Sequence, residues 1–319
     1  ILITLCKQFK MDNMVALAVV MVGSRIGFVT GLMNPFTVGV AHGLAELPMY
    51  SGLWYRLIWY GVIFVITVWY VLRYANKITK DPTLSIMYGV ETDEEEISNE
   101  FMPMTTRQKI IIAEFISLIG IMLFGVFKYG WFMLEIATLF LIFGILIGLT
   151  GRLKLNDMAK SFVNGAANMT FAALVVGIAK AILLVLQDGM IIDTILYYAS
   201  NVLGGLPKVV AANGMYIFQC LLNFLIPSGS GQAAATIPIM APLADSIGIT
   251  RQVAVLAYHY GDGFTNLIAP TLGSLMACIA VSKVPFERYL KWVLPLCGMW
   301  ILVGFASVTI ATMINLGPF

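Results

Sequence analysis

The sequence predicts an all-α polytopic membrane protein with inverted-topology repeats, a re-entrant hairpin and broken transmembrane helices. Three observations carry that prediction. Of 319 residues, 60% are hydrophobic and only 11% charged, with a mean hydropathy of +0.89, whereas a soluble domain carries about a quarter charged residues. Several charge-poor runs approach the roughly 20 apolar residues needed to cross a bilayer. Three further apolar stretches carry Gly, Pro and polar residues in their middles, and such breaks are tolerated at membrane depth only where protein or a watery cavity satisfies the freed backbone.

Taken in order, Met14 to Ala45 is the first broken helix, with Gly23, Arg25, Gly27, Gly31, Asn34-Pro35 and Gly39 along it. Leu57 to Leu72 is an uncharged span bracketed by Arg56 and Arg73, with Trp54, Tyr55, Trp69, Tyr70 and Tyr74 as interfacial rings. A polar linker with the acidic run Glu91 to Glu100 follows, and it reads as solvated. Ile110 to Phe127 and Trp131 to Leu149 form a helix pair around Lys128, and Asn168 to Leu186 is a further span. Val209 to Ala244 is one uncharged stretch interrupted by Pro227-Ser228-Gly229-Ser230-Gly231, long enough to enter the membrane and return. Val253 to Ser282, with Gly261-Asp262-Gly263 and Ala269-Pro270, is the second broken helix, and Trp292 to Phe319 the last span.

Net charge is +2, and seven of the 17 acids lie between Asp81 and Glu100, so no basic stripe is free for nucleic acid. The four cysteines are scattered without metal-ligand spacing and read as free, mostly buried thiols. The first residue is Ile and no leader precedes the first span, so the chain reads as amino-terminally incomplete.

Lys and Arg set the orientation. Arg73, Lys77, Lys80, Arg107 and Lys109 crowd one loop, Arg152, Lys154 and Lys160 another, and Lys283, Arg288 and Lys291 a third, so these loops are expected on the cytoplasmic side. Asn13 to Gly23 aligns with Arg251 to Gly261, and Leu47-Pro48 with Val284-Pro285, yet the charge bias runs the two copies in opposite directions. Inverted repeats of this kind place a substrate site at mid-membrane. The expected organisation is 1–75 as the carboxy-terminal part of a first repeat, 76–109 as a cytoplasmic polar linker and 110–319 as the second repeat. Within the latter come the helix pair, a span, the re-entrant hairpin 209–245, the broken helix 251–282 and the final span 289–315. By that alignment roughly 130 residues of the first repeat lie upstream.

Pro227-Ser-Gly-Ser-Gly-Gln-Ala-Ala-Ala-Thr-Ile-Pro-Ile-Met-Ala-Pro242, Gly261-Asp-Gly-Phe-Thr-Asn266 and Asn34-Pro-Phe-Thr-Val-Gly39 resemble the DcuC-type C4-dicarboxylate carrier family, in its YfcC branch. The resemblance covers nearly the whole chain. It implies membership of the ion transporter superfamily, a branch associated with basic amino acid antiport, and a homodimer moving substrate by an elevator motion.

The tip Ser228, Gly229, Ser230, Gly231 and Gln232 offers hydroxyls, an amide and N–H groups ahead of a helix expected to begin near Ala233, a suitable cradle for a carboxylate. Asn34 and Thr37 present polar groups past the first break, and Arg25 can grip a substrate carboxylate or pair with Asp262. Asp262, between Gly261 and Gly263 and followed by Thr265 and Asn266, marks an ion or proton path, with unwound carbonyls suited to sodium. The functional expectation is a secondary active transporter, not an enzyme. It is a multi-pass protein of the inner (plasma) membrane, carrying a small carboxylated solute such as arginine, ornithine or a C4-dicarboxylate, with no cofactor and with Na+ or H+ as coupling ion. The alternatives are a passive channel and, remotely, an intramembrane serine protease using Ser230 and His259.

Overall fold

A computed structural model describes residues 2–32, 34–90, 104–129, 131 and 133–317. The described residues are helical, without strands. The acidic run Glu91 to Glu100 lies outside them. In chain order the helices are α1 (Leu2–Gln8), α2 (Asn13–Leu17), α3 (Gly23–Thr30), α4 (Val40–Leu44), α5 (Leu53–Lys80), α6 (Thr106–Tyr129) and α7 (Met133–Thr150). They continue as α8 (Leu155–Asp188), α9 (Ile191–Gly204), α10 (Lys208–Leu222), α11 (Gly229–Ile247), α12 (Arg251–Thr265), α13 (Gly273–Ser282) and α14 (Phe286–Met313).

The chain divides into two compact units, residues 96–170 and residues 1–95 with 171–319. In the smaller unit α6 and α7 pack around Leu118, Leu139 and Phe143, and Glu114 accepts a hydrogen bond from Thr150 at 2.7 Å. All the candidate site residues belong to the larger unit.

There, α2 and α3 are joined through a π-helical stretch, Ala18–Val22, into one path that stops where Gly31 turns left-handed. A second π-helical turn, Pro35–Gly39, leads into α4. In the other half α12 ends at Thr265 and α13 restarts at Gly273. The two broken helices therefore share a plan, and details of their ends coincide. Asp12 caps the first by accepting from the Val15 N–H at 3.0 Å, and Thr250 caps the second from the Val253 N–H at 3.3 Å, the same spacing in each. Each second half ends in a left-handed residue, Glu46 or Lys283, just before Leu47-Pro48 or Val284-Pro285. A 28-residue helix follows in both cases, α5 and α14.

The two paths run antiparallel. Asn13, at the start of the first, donates to the Ser282 carbonyl at the end of the second (2.9 Å), while Arg251, at the start of the second, donates to the Ala45 carbonyl at the end of the first (3.0 Å). Aromatic side chains hold α5 on α14: Tyr55 donates to the Ser307 carbonyl and Tyr70 to the Trp292 carbonyl, both at 2.5 Å, and Trp300 to Thr67 at 3.0 Å. Asn13–Thr30, Leu53–Lys80 and Phe286–Met313 are long and apolar enough to cross a membrane.

Three boundaries differ from expectation and one helix was not expected. α5 continues through Lys80, so the start of the expected linker is helix. α8 is one 34-residue helix beginning well before Asn168. α14 begins at Phe286 and ends at Met313. The sequence reading passed over α9, a short amphipathic helix burying Ile192, Leu196 and Leu203; its helical spacing of apolar residues was the available signal. Cys6, Cys220 and Cys297 are buried free thiols, and free Cys278 is half-buried.

Candidate functional site at the hairpin tip

The uncharged stretch folds as two helices, α10 and α11, joined by residues 223–228. Its second helix starts at Gly229, a turn earlier than Ala233, because Ser228 is an N-cap whose hydroxyl accepts from the Gly231 N–H at 3.3 Å. Ser228 and Ser230 are exposed. Gln232 does not face the tip: it is fully buried and donates to the Gln219 carbonyl and side chain at 2.9 and 2.7 Å, pinning α11 to α10.

Asp262 is fully buried and neither carboxylate oxygen has a hydrogen-bond partner. It does not lie at the helix break. Gly261-Asp262-Gly263 is regular helix, and the two glycines are there for packing. A Cβ on Gly261 would stand 2.9 Å from the Cys220 backbone nitrogen of α10, and one on Gly263 would stand 2.9 Å from Val29 of α3. The carbonyls expected to be unwound are occupied: the Asp262 carbonyl accepts from Asn223 at 3.0 Å, and that of Gly261 accepts from the Thr265 hydroxyl at 2.7 Å. Helix α12 breaks only after Thr265, at Asn266.

The tip meets Asp262 directly. A Cβ on Gly229 would stand 3.2 Å from Asp262 Oδ2 and 2.6 Å from Thr37 Cγ2. Tyr258, one helical turn from Asp262, donates to the Gly229 carbonyl at 2.6 Å and tethers the tip. Thr37 is fully buried, its hydroxyl without a partner. Asn34 caps the turn carrying Thr37, accepting from the Phe36 N–H at 3.0 Å. Gly229, Thr37 and Asp262 thus converge from three separate elements. Arg25 does not pair with Asp262; it is buried and donates to Ser274 at the start of α13, with the Phe28 ring 5.4 Å away.

Two residues of the site escaped the sequence reading. Asn223 donates to the Asp262 carbonyl, to Thr265 Oγ1 (2.8 Å) and to Asn266 Oδ1 (3.0 Å), so it fixes the hairpin turn to the end of α12. Tyr258 is the other. The signal for Asn223 was an amide in an otherwise apolar run just ahead of Pro227. The Ser230 and His259 pairing that a protease would need is not formed: His259 Nε2 lies 3.1 Å from the Phe28 carbonyl, and its Nδ1 has no partner.

Interrupted apolar helices meeting a hairpin tip around a buried acid are a build found in membrane transport proteins. The model of the DcuC family, C4-dicarboxylate anaerobic carrier, matches residues 2–313, and the chain belongs to that family. It is 36% identical over 312 residues to the "Putative basic amino acid antiporter YfcC" of Escherichia coli, covering 93% of this chain and 61% of that protein. It is 33% identical over 314 residues to an uncharacterized protein of Haemophilus influenzae, covering 96% of this chain and 60% of that one. The chain thus spans about three fifths of the length of these curated relatives. No solved structure matches.

Proposed function

We propose that the protein is a secondary active transporter of a small carboxylated solute, an amino acid such as arginine or ornithine, or a C4-dicarboxylate. It works across the cytoplasmic membrane as a multi-pass homodimer, with H+ or Na+ as the coupling ion. The observation that carries this reading is the Asp262 carboxylate, fully buried with both oxygens unpartnered, against the hairpin tip at Gly229. An ionised carboxylate so placed costs several kcal/mol unless something binds it. A proton, a cation or the ammonium of a substrate meets that need, and its binding is then linked to the position of the tip. Ser228 and Ser230 hydroxyls and the first N–H groups of α11 supply the carboxylate contacts, with Thr37 against Gly229 and Asn34 capping the turn that carries it.

Among the described residues no three His, Cys, Asp or Glu side chains cluster. A coupling cation would therefore rest on Asp262 and neutral oxygens. The test is uptake of radiolabelled arginine, ornithine, succinate and fumarate into vesicles carrying the full-length protein, with sodium and pH gradients imposed separately. Gradient-driven accumulation of one of them supports the reading. Uptake that only follows the substrate's own gradient would make the protein a channel.

A further inference from the structure

We propose that the groove between α5 and α14, at their Lys77 and Trp292 ends, binds an anionic glycerophospholipid of the surrounding bilayer. The groove has a volume of about 370 Å³. One wall is a single stripe of α5, Trp69, Arg73 and Lys77, at four-residue spacing; the other is Trp292, Pro295 and Met299 of α14, at spacings of three and four. Both helices have 28 residues, about 42 Å at 1.5 Å per residue, against a hydrocarbon core of about 30 Å. Their ends therefore project into the headgroup layer. Only 22% of the most apolar window of Leu53–Lys80 is buried against the rest of the chain, so this helix leaves an apolar surface open along much of its length.

Polarity along the groove is graded as a phospholipid's is. Lys77 and Arg73 stand toward the helix ends, and Trp69, Pro295 and Met299 toward the membrane interior. Among the described residues no acid lines it, and neither Arg73 nor Lys77 forms an ion pair. Arg73 lies 5.3 Å over the Trp69 ring, which holds the guanidinium at the mouth. The floor is rigid: Trp292 is buried, with its ring 5.0 Å from Tyr70 and 5.6 Å from Tyr74. Two cations that form no salt bridge among the described residues, above an apolar slot, suit a phosphodiester followed by acyl chains, and juxtamembrane cations attract anionic lipid in this way.

The full-length protein, purified in detergent, would be mixed with equimolar phosphatidylglycerol and phosphatidylcholine, and the retained lipid counted by native mass spectrometry. The parent should retain phosphatidylglycerol preferentially. Arg73→Gln with Lys77→Gln should reduce the preference by about fivefold for each cation removed. Met299→Trp, which keeps both charges but fills the apolar end, should also lower retention. Circular dichroism and elution volume check that the variants are folded. Equal retention of the two lipids by the parent, or a preference unchanged in the double variant, overturns the proposal. So does displacement of the lipid by millimolar inorganic phosphate, which would make this a phosphate site. A change of oligomeric mass in Met299→Trp with lipid retention intact would assign the groove to a second copy of the chain.

Discussion

Gly229 and Asp262 are in contact across two helices: a methyl group on the glycine would stand 3.2 Å from the carboxylate oxygen Oδ2. The hairpin tip is seated by this closeness, because no larger residue can bring the α11 start onto a fully buried acid. Alanine at 229 would also stand 2.6 Å from Thr37 Cγ2, and Thr37 is itself fully buried and unable to withdraw. Gly229→Ala should therefore lift the tip and lower uptake at least tenfold on the order expected for a misplaced site, with normal amounts of protein in the membrane. Gly231→Ala, whose methyl meets the Ser228 side chain at 3.1 Å and Ile226 at an ordinary 3.7 Å, should be milder. Equal uptake by Gly229→Ala and the parent would show that the tip does not need this seat.

The second prediction concerns Gly31, where the first broken helix stops. Its φ is +40°, and a Cβ there would fall on the His259 imidazole. The cost combines the left-handed backbone, about 1–2 kcal/mol, with overpacking of about 1–3 kcal/mol. Gly31→Ala should lower the unfolding temperature in micelles by several degrees, and adding His259→Ala should recover part of the loss. Additive losses in this double-mutant cycle would place the two residues out of contact.

The paired caps give a third. Thr250→Ala removes one cap, worth about 1 kcal/mol, and a hydroxyl bond to the Leu316 carbonyl. Asp12→Ala should cost more, about 2–3 kcal/mol, since Asp12 also accepts from Tyr74 and Ser85 at 2.6 and 2.5 Å. Thermal unfolding of the two variants ranks them, and the reverse order would mean that the Asp12 network is not formed.

Much of the fold was legible because membrane helices are written in hydropathy. Gly, Pro and Asn34 marked the first break, and the correspondence between Asn13 to Gly23 and Arg251 to Gly261 reappears as antiparallel paths with matching caps. The exact role of the glycines was not legible. Gly261 and Gly263 look like helix breakers in sequence, yet each is small because another helix passes within contact distance, information that lies in Gln219 and Val29 and in no local pattern. Gln232 misled for a similar reason: it follows the tip in sequence, but helix periodicity turns it toward α10. Asn223 and Tyr258 act through long-range hydrogen bonds to backbone, which composition cannot announce.

Topology supplies a fourth prediction. Antiparallel broken helices in one membrane would place the loop after α5 and the end of α14 on opposite sides, and the basic Lys77 and Lys80 end is expected to be the cytoplasmic one. A reporter inserted after residue 95 and another after residue 319 should give opposite signals. Matching signals would be incompatible with the inverted arrangement.

Asp262→Asn is the most discriminating substitution. It keeps the side chain's shape and one acceptor oxygen while removing the charge, in a place where neither carboxylate oxygen makes a hydrogen bond or a salt bridge among the described residues. The amide hydrogens would find no evident acceptor there, so a stability loss of about 1–3 kcal/mol is expected. The neighbours that build the site remain: Tyr258 still holds the Gly229 carbonyl and Asn223 still holds the Asp262 carbonyl, since both bonds go to backbone. Substrate should therefore bind the full-length variant, while accumulation against a gradient is lost and the dependence on pH or sodium flattens. An ammonium-bearing substrate that used Asp262 as its own partner would instead lose binding, with the ion dependence of the residual uptake intact. If Asp262→Asn concentrates substrate like the parent, with the same ion dependence, the coupling group lies elsewhere. The next acid-base candidate is then His259, one turn away on α12, whose Nδ1 is also buried without a partner.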